Sequence, residues 1–340
     1  MKKIVTKKNF KKRRLRTSLA RFLKDNPAVL WLYNTFFTIK NKKNYYSDIE
    51  RREKLSFFDY VELSKPLPYL PIEKVRDSNF YGHAKALKEY CGIQELHYSI
   101  EHGLYYADNY IPMASFTKTV NRIITLSDYR KSILCSQLTK PIVTVGPYIH
   151  YAKILYASDD LQSLKERMGR TLLYFPTHQS TEDEIEYDVQ EDINIVLKFA
   201  NDKAFDTILV CMFYLDIINT NYAQIYEKNG LKIVTAGNRY DFNFINRLKT
   251  IISLADYTLS NNVGTHTGYC VYMHKPHYVF TDQLYKMENS ALMLEVGDAF
   301  SEYSQDITSK QLQVINKYWG LDCVRTPEEL REILQSCENQ

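Results

Sequence analysis

An α/β fold built from two parallel-sheet halves is what this sequence predicts, on three observations. The chain has 340 residues, enough for two domains of ordinary size. From about residue 80, short apolar runs alternate with helix-period stretches, as parallel strands covered by helices on both faces do. The alternation falls into two blocks that separate near residues 150–170.

In the first block, Ala84–Cys91 reads as helix and Glu95–Ile100 as strand. Arg122–Leu126 and Pro141–Val145 are strands flanking a helix, Asp128–Gln137. In the second block, strands are expected at Thr171–Phe175, Asp206–Phe213, Leu231–Thr235, Tyr257–Leu259 and His277–Phe280. The helices between them run from about Asp183 to Asn201, Leu215 to Asn229, Asn243 to Ala255 and Thr265 to Met273. Thr326-Pro327-Glu328-Glu329 supplies an N-cap, a first-turn proline and a third-position glutamate, so a capped helix opens there. Residues 45–75, with Pro66, Pro68 and Pro71, read as irregular connection.

Charge is unevenly spread. Residues 1–26 carry eleven Lys/Arg and one acid, so the other 314 residues are net −6 although the chain is +4. The basic stretch (Lys2-Lys3, Lys7-Lys8, Lys11-Lys12-Arg13-Arg14) precedes an apolar run, Ala28–Phe37, too short to span a bilayer and without a cleavage site. It suits the anionic inner face of a membrane, through residues 1–37, or else a solvated tail. No nucleic-acid motif accompanies it, so nucleic acid is not an expected partner. The six cysteines have no metal-site or redox spacing and fit a reducing cytoplasm. The expected division is a basic amphipathic segment (1–44), a Rossmann-like domain (45–160) and a second Rossmann-like domain (161–340).

In parallel α/β sheets, ligands bind beyond the carboxyl ends of strands, so the strand-end loops are where chemistry is sought. Glu101-His102-Gly103 offers a general base beside a sharp turn, though a histidine there is commonly structural. In Pro176-Thr177-His178-Gln179-Ser180-Thr181, the hydroxyls cap a helix whose start also attracts phosphate. Arg239, after Gly237-Asn238, could clamp a phosphate or pair with Asp241. Ser260-Asn261-Asn262-Val263-Gly264-Thr265-His266 puts small polar residues before a helix, a geometry that binds a diphosphate through free amides. Asp159-Asp160 and Glu182-Asp183-Glu184 read as helix-start acids rather than a metal motif.

The order of these pieces (an His-Gly loop, "SDYRK", "VGP", "YFPTH" and "ADYTLSNNVGTH…KP") resembles GT-B glycosyltransferases of capsule, lipopolysaccharide and teichoic-acid assembly, over about residues 80–335. The resemblance implies two Rossmann-like domains facing each other across a cleft. It implies a cytoplasmic enzyme, peripheral on the inner membrane face, moving a sugar from a nucleotide-sugar donor to a polysaccharide or lipid-linked acceptor. His178, Arg239, Ser260, Asn261, Gly264, Thr265 and His266 would then surround the donor diphosphate, with His102 or Glu101 as base on the acceptor. Inversion of the sugar, no bound metal and no cofactor are implied as well. Leu259-Ser260-Asn261-Asn262 lacks the acid expected before the serines in the teichoic-acid branch, so sugar transfer is favoured over CDP-glycerol-type polyol-phosphate transfer. The non-enzymatic alternative is a membrane-associated scaffold.

Overall fold

The computed structural model describes residues 22, 26–106, 110–116, 118, 120, 122–178, 188–280 and 290–335. It contains two sheets, both wholly parallel. The first orders β1 (Ser99–Ile100), β2 (Ile123–Thr125) and β3 (Ile142–Thr144) side by side. The second orders its strands β6-β5-β4-β7-β8. These are β4 (Thr171–Phe175), β5 (Thr207–Cys211), β6 (Lys232–Val234), β7 (Tyr257–Ser260) and β8 (His277–Val279). Central β4, Thr-Leu-Leu-Tyr-Phe, is buried along its whole length, as a parallel strand covered on both faces must be. From β4 the chain winds outward to β5 and β6, then returns to lay β7 on β4's other side, pairing Phe175 with Ser260. The β4/β7 seam is therefore a topological switch point, where such sheets open a crevice.

The helices, in chain order, begin with α1 (Pro27–Glu53), α2 (Tyr60–Ser64), α3 (His83–Cys91), α4 (Asp128–Cys135) and α5 (Ser158–Met168). The second sheet brings α6 (Val189–Asp202), α7 (Tyr214–Asn219), α8 (Tyr222–Lys228), α9 (Phe244–Leu254) and α10 (Thr265–Tyr272). The chain closes with α11 (Ala291–Phe300), α12 (Ser309–Trp319) and α13 (Pro327–Gln335). The Thr326 cap forms as expected: its hydroxyl accepts from Glu329 N–H at 3.2 Å, and the Glu329 carboxylate accepts from Thr326 N–H at 2.9 Å. The expected helix over 215–229 is two helices, α7 and α8, broken at Thr220.

Residues 45–75 are only partly the irregular connection expected: 65–75 carries no helix or strand, but 45–53 continues α1 and 60–64 forms α2. Helix α1 runs to Glu53, because Arg52 is fully buried and donates to the carbonyls of Leu63 (2.5 Å) and Lys65 (2.8 Å). That stretch packs on the second sheet's side: Thr235 N–H donates to Phe57 O at 3.1 Å, and Asn238 N–H to Leu63 O at 3.0 Å. The C-terminal helices cross the other way, with Tyr98 donating to Ile333 O (3.1 Å) and Arg331 to Cys91 O (2.7 Å). The largest buried apolar cluster consequently holds residues of both sheets, from Ile100 and Ile124 to Leu173 and Leu209.

The loops beyond the carboxyl ends of β1 and β7 touch, through Leu104 with Thr265 and Tyr106 with Val263. Two parallel-sheet halves whose strand-end loops meet match the GT-B architecture expected. Among the described residues, no helix is long and apolar enough to cross a membrane. The expectations for residues 1–21 and 23–25, and for residues 179–187, lie outside the described residues.

Candidate active site

Two strand-end loops, one from each sheet, meet first at Gly103. A Cβ there would lie 2.6 Å from Thr265 Oγ1, so only glycine lets the β1 loop close on the start of α10. Leu104 N–H then donates to Thr265 Oγ1 at 3.1 Å, and Tyr106 Oη donates to Val263 O at 2.9 Å. Thr265 is held from behind as well: Trp319 Nε1 donates to its carbonyl at 3.0 Å. The indole lies where any side chain at Gly268 would stand.

Glu101 does not present its carboxylate beside His102. It is 2% exposed and accepts from Arg130 Nη2 (2.6 Å), Arg130 Nε (3.0 Å) and Thr125 Oγ1 (2.7 Å). Acting as a base would mean unmaking a buried, charge-assisted pair, which costs more than the proton transfer could return. Glu101 instead fixes the loop that carries His102, helped by Tyr148 Oη, which donates to its carbonyl at 2.7 Å.

His102 is half-buried among aromatic rings, with Phe80 at 5.7 Å, Tyr81 at 5.9 Å and Tyr105 at 5.4 Å between centroids. Its Nδ1 lies 3.1 Å from Tyr105 Oη. Burial lowers its pKa; Asp77 opposes that, while Arg239 and Arg76 add to it. The imidazole is thus neutral at pH 7, the form that can take a proton.

Arg239 reaches the same aromatic patch. Its guanidinium carbon sits 4.6 Å from the Phe80 ring centre and 5.3 Å from that of Tyr240, and its buried Nε has no partner. The pairing with Asp241 weighed from sequence does not form, because Asp241 is fully buried against Arg247 at 2.7 Å. Among the described residues no carboxylate pairs with Arg239.

At the switch point, Phe175 ends β4 and carries the His266 ring stacked on it, centroids 4.5 Å apart and planes within 15°. His266 Nε2 is buried without a partner. Burial holds the ring's pKa well below its ordinary value, with nearby His277 and His178 adding to the effect, so it is a neutral hydrogen-bonding group and not a cation. Gly264 caps α10, and its N–H meets Thr267 Oγ1 at 3.3 Å. His178 is exposed beyond β4, its ring 4.4 Å from that of Phe213. The next residue, Tyr214, lies in the field of Arg239.

Ser260 and Asn261, expected on the donor, are used by the protein itself. Ser260 is fully buried; its Oγ donates to Asn262 O at 2.7 Å and lies 3.0 Å from His277 Nε2. Asn261 Oδ1 accepts from Thr177 N–H (2.6 Å) and Oγ1 (2.9 Å), while its Nδ2 donates to Asp192 at 2.6 Å. They pin the two switch-point loops together. Sequence reading missed the aromatic wall of Phe80, Tyr81 and Tyr105, and also His83, buried and stacked on Tyr148 at 4.4 Å. Phe80 and Tyr81 fall on no strand-end motif, and the run Asn79-Phe-Tyr-Gly-His83 was the available signal; Tyr105 follows the His102-Gly103 motif by two residues.

No protein-family model matches the chain, and neither does any curated protein sequence. Solved structures similar to it include the wall teichoic acid polymerase TagF (12% identity, TM-score 0.43), over 64% of this chain and 58% of that one. The UDP-GlcNAc 2-epimerase of Methanocaldococcus jannaschii is similar over 76% of this chain and 74% of its own (11% identity, TM-score 0.40). The GtfA/B complex is similar over 75% and 55% (12% identity, TM-score 0.35). Likeness this distant leaves the functional argument to the site itself.

Proposed function

We propose that this chain is a glycosyltransferase moving a sugar from a nucleotide-sugar donor to a hydroxyl of a surface polysaccharide or lipid-linked acceptor. The observation that carries this reading is Arg239, an acid-free guanidinium on Phe80, in the same aromatic patch as a neutral His102. A guanidinium without a carboxylate partner, buried at Nε, is matched to a phosphate that brings its own charge.

The donor diphosphate lies over the β4/β7 switch point, where the first amides of α10 and the dipole of that helix favour an anion. Arg239 adds the counter-charge, and neutral His266 offers Nε2 as a donor. His102 takes the acceptor's hydroxyl proton; this requires the tautomer in which Nδ1–H donates to Tyr105 Oη and Nε2 keeps its lone pair. The acceptor oxygen then forms a bond to the anomeric carbon as the bond to the diphosphate oxygen breaks. A single displacement of this kind inverts the sugar. Glu101, Ser260 and Asn261 are positioning residues.

His102→Ala tests the reading. It should lower transfer by about 10²–10⁴-fold while leaving nucleotide affinity within about twofold. Transfer at the unaltered rate would remove the base assignment. A phosphodiester in the product would identify polyol-phosphate transfer instead.

A further inference from the structure

Helix α1 has two unlike faces. The inner one is docked: Tyr33 and Phe37 pack on Tyr69 at 6.4 and 5.6 Å, and Tyr45 Oη donates to Tyr240 O at 2.8 Å. The outer face leaves four large apolar side chains in solvent within nine residues. Trp31 is 65% exposed, Leu32 59%, Phe36 57% and Ile39 81%. Leu32, Phe36 and Ile39 follow the i, i+4, i+7 spacing and therefore form one stripe. Exposed Lys40, Lys42 and Lys43 come directly after it, Lys40 Nζ lying 5.8 Å from the Phe36 ring. In the sequence, the stripe is preceded by the eleven Lys/Arg of residues 1–26.

We infer that the outer face of α1 is a docking surface for an anionic lipid bilayer, with the helix lying in the interface plane. The apolar stripe enters the acyl boundary, and the basic groups at both of its ends meet lipid phosphates. A second copy of the chain fits this surface poorly, because pairing two stripes would bring like-charged ends together. The helix is also not apolar enough to cross the bilayer, which leaves the surface as its place. Its inner face is tied to Tyr240, beside Arg239, so a docked helix fixes the candidate active site close to the headgroups. Only that last step rests on the proposed function.

Trp31 provides a direct readout, since the chain's other tryptophan, Trp319, is fully buried. The full chain would be titrated with vesicles of equimolar phosphatidylglycerol and bromine-labelled phosphatidylcholine. We expect a blue shift and quenching of Trp31 emission, both lost in Trp31→Phe. Binding should weaken at least about tenfold in a Leu32→Ser, Phe36→Ser, Ile39→Ser variant and decline as salt is raised. Far-UV circular dichroism of that variant verifies folding, which surface changes leave intact. Equal binding to purely zwitterionic vesicles, unquenched Trp31, or an undiminished triple variant would overturn the inference. Lipid-free self-association abolished by the same three changes would assign the face to a second copy.

Discussion

Single side chains in this protein are sorted by whether their polar groups are already satisfied. Glu101, Ser260 and Asn261 looked chemically apt in sequence, yet each is fully engaged inside the fold. Arg239 and His266 keep buried nitrogens without partners, which no reading of residue type could reveal. The same accounting predicts a pH dependence. Burial pushes the pKa of His83 and of His277 down to about 3, and that of His266 well below its ordinary value. As pH falls below about 6.5 the unfolded chain binds protons these residues refuse when folded, so stability is lost on acidification. Asp192, raised to about 6 mainly by burial, acts oppositely: it favours the folded state most at low pH and loses that advantage as pH rises through 6. These three histidines, with His102 and His150 shifted the same way by burial, outweigh the one aspartate and should leave a net loss between pH 6 and pH 4. His83→Phe keeps the stack on Tyr148 and should reduce the slope of unfolding free energy by about 1.4 kcal/mol per pH unit, measured by denaturant titration. An unchanged slope would show that His83 is not held neutral.

At the scale of elements, the strands of the second sheet were legible because each is a short apolar run set between helix-period stretches. Helix α1 was legible only in part: its first half lies in the segment expected to be basic and amphipathic, but its second half, where a buried arginine and tyrosines replace an apolar stripe, did not read as helix. Helices α11 and α12 went unread for want of a strand beside them. The β7–α10 loop was recognised for its composition, but its mechanical role depends on two distant glycine contacts. Gly103→Ala would press a methyl onto Thr265 Oγ1 and part the two halves at the site; Gly268→Ala would press one onto the Trp319 ring. Overpacking at buried positions costs about 1–3 kcal/mol. We predict that Gly268→Ala lowers thermal stability by that amount. Gly103→Ala should lose transfer activity out of proportion to its stability, because the β1 loop and the start of α10 no longer close together. Equal losses of stability and activity in both variants would deny the Gly103 contact a functional role.

At the scale of the whole molecule, chain order and packing diverge. Residues 45–65 brace the second sheet, Ser78 and α13 brace the first, and one apolar cluster runs through both halves. Sequence pattern shows where strands begin and end, but long-range pairings such as Tyr98 with Ile333 or Phe57 with Thr235 are outside its reach. The result of this interleaving is that Arg239 from one half and His102 from the other share a single aromatic wall. Whether that wall is a donor site is decided by nucleotide binding to the full chain. We would titrate UDP, CDP, GDP and dTDP calorimetrically into the unaltered protein, Arg239→Ala and His102→Ala. One nucleotide should bind saturably, lose roughly 1.5–3 kcal/mol of affinity in Arg239→Ala, and bind His102→Ala almost unchanged. Affinity indifferent to Arg239, or no saturable binding by any nucleotide, would contradict a donor site at this position.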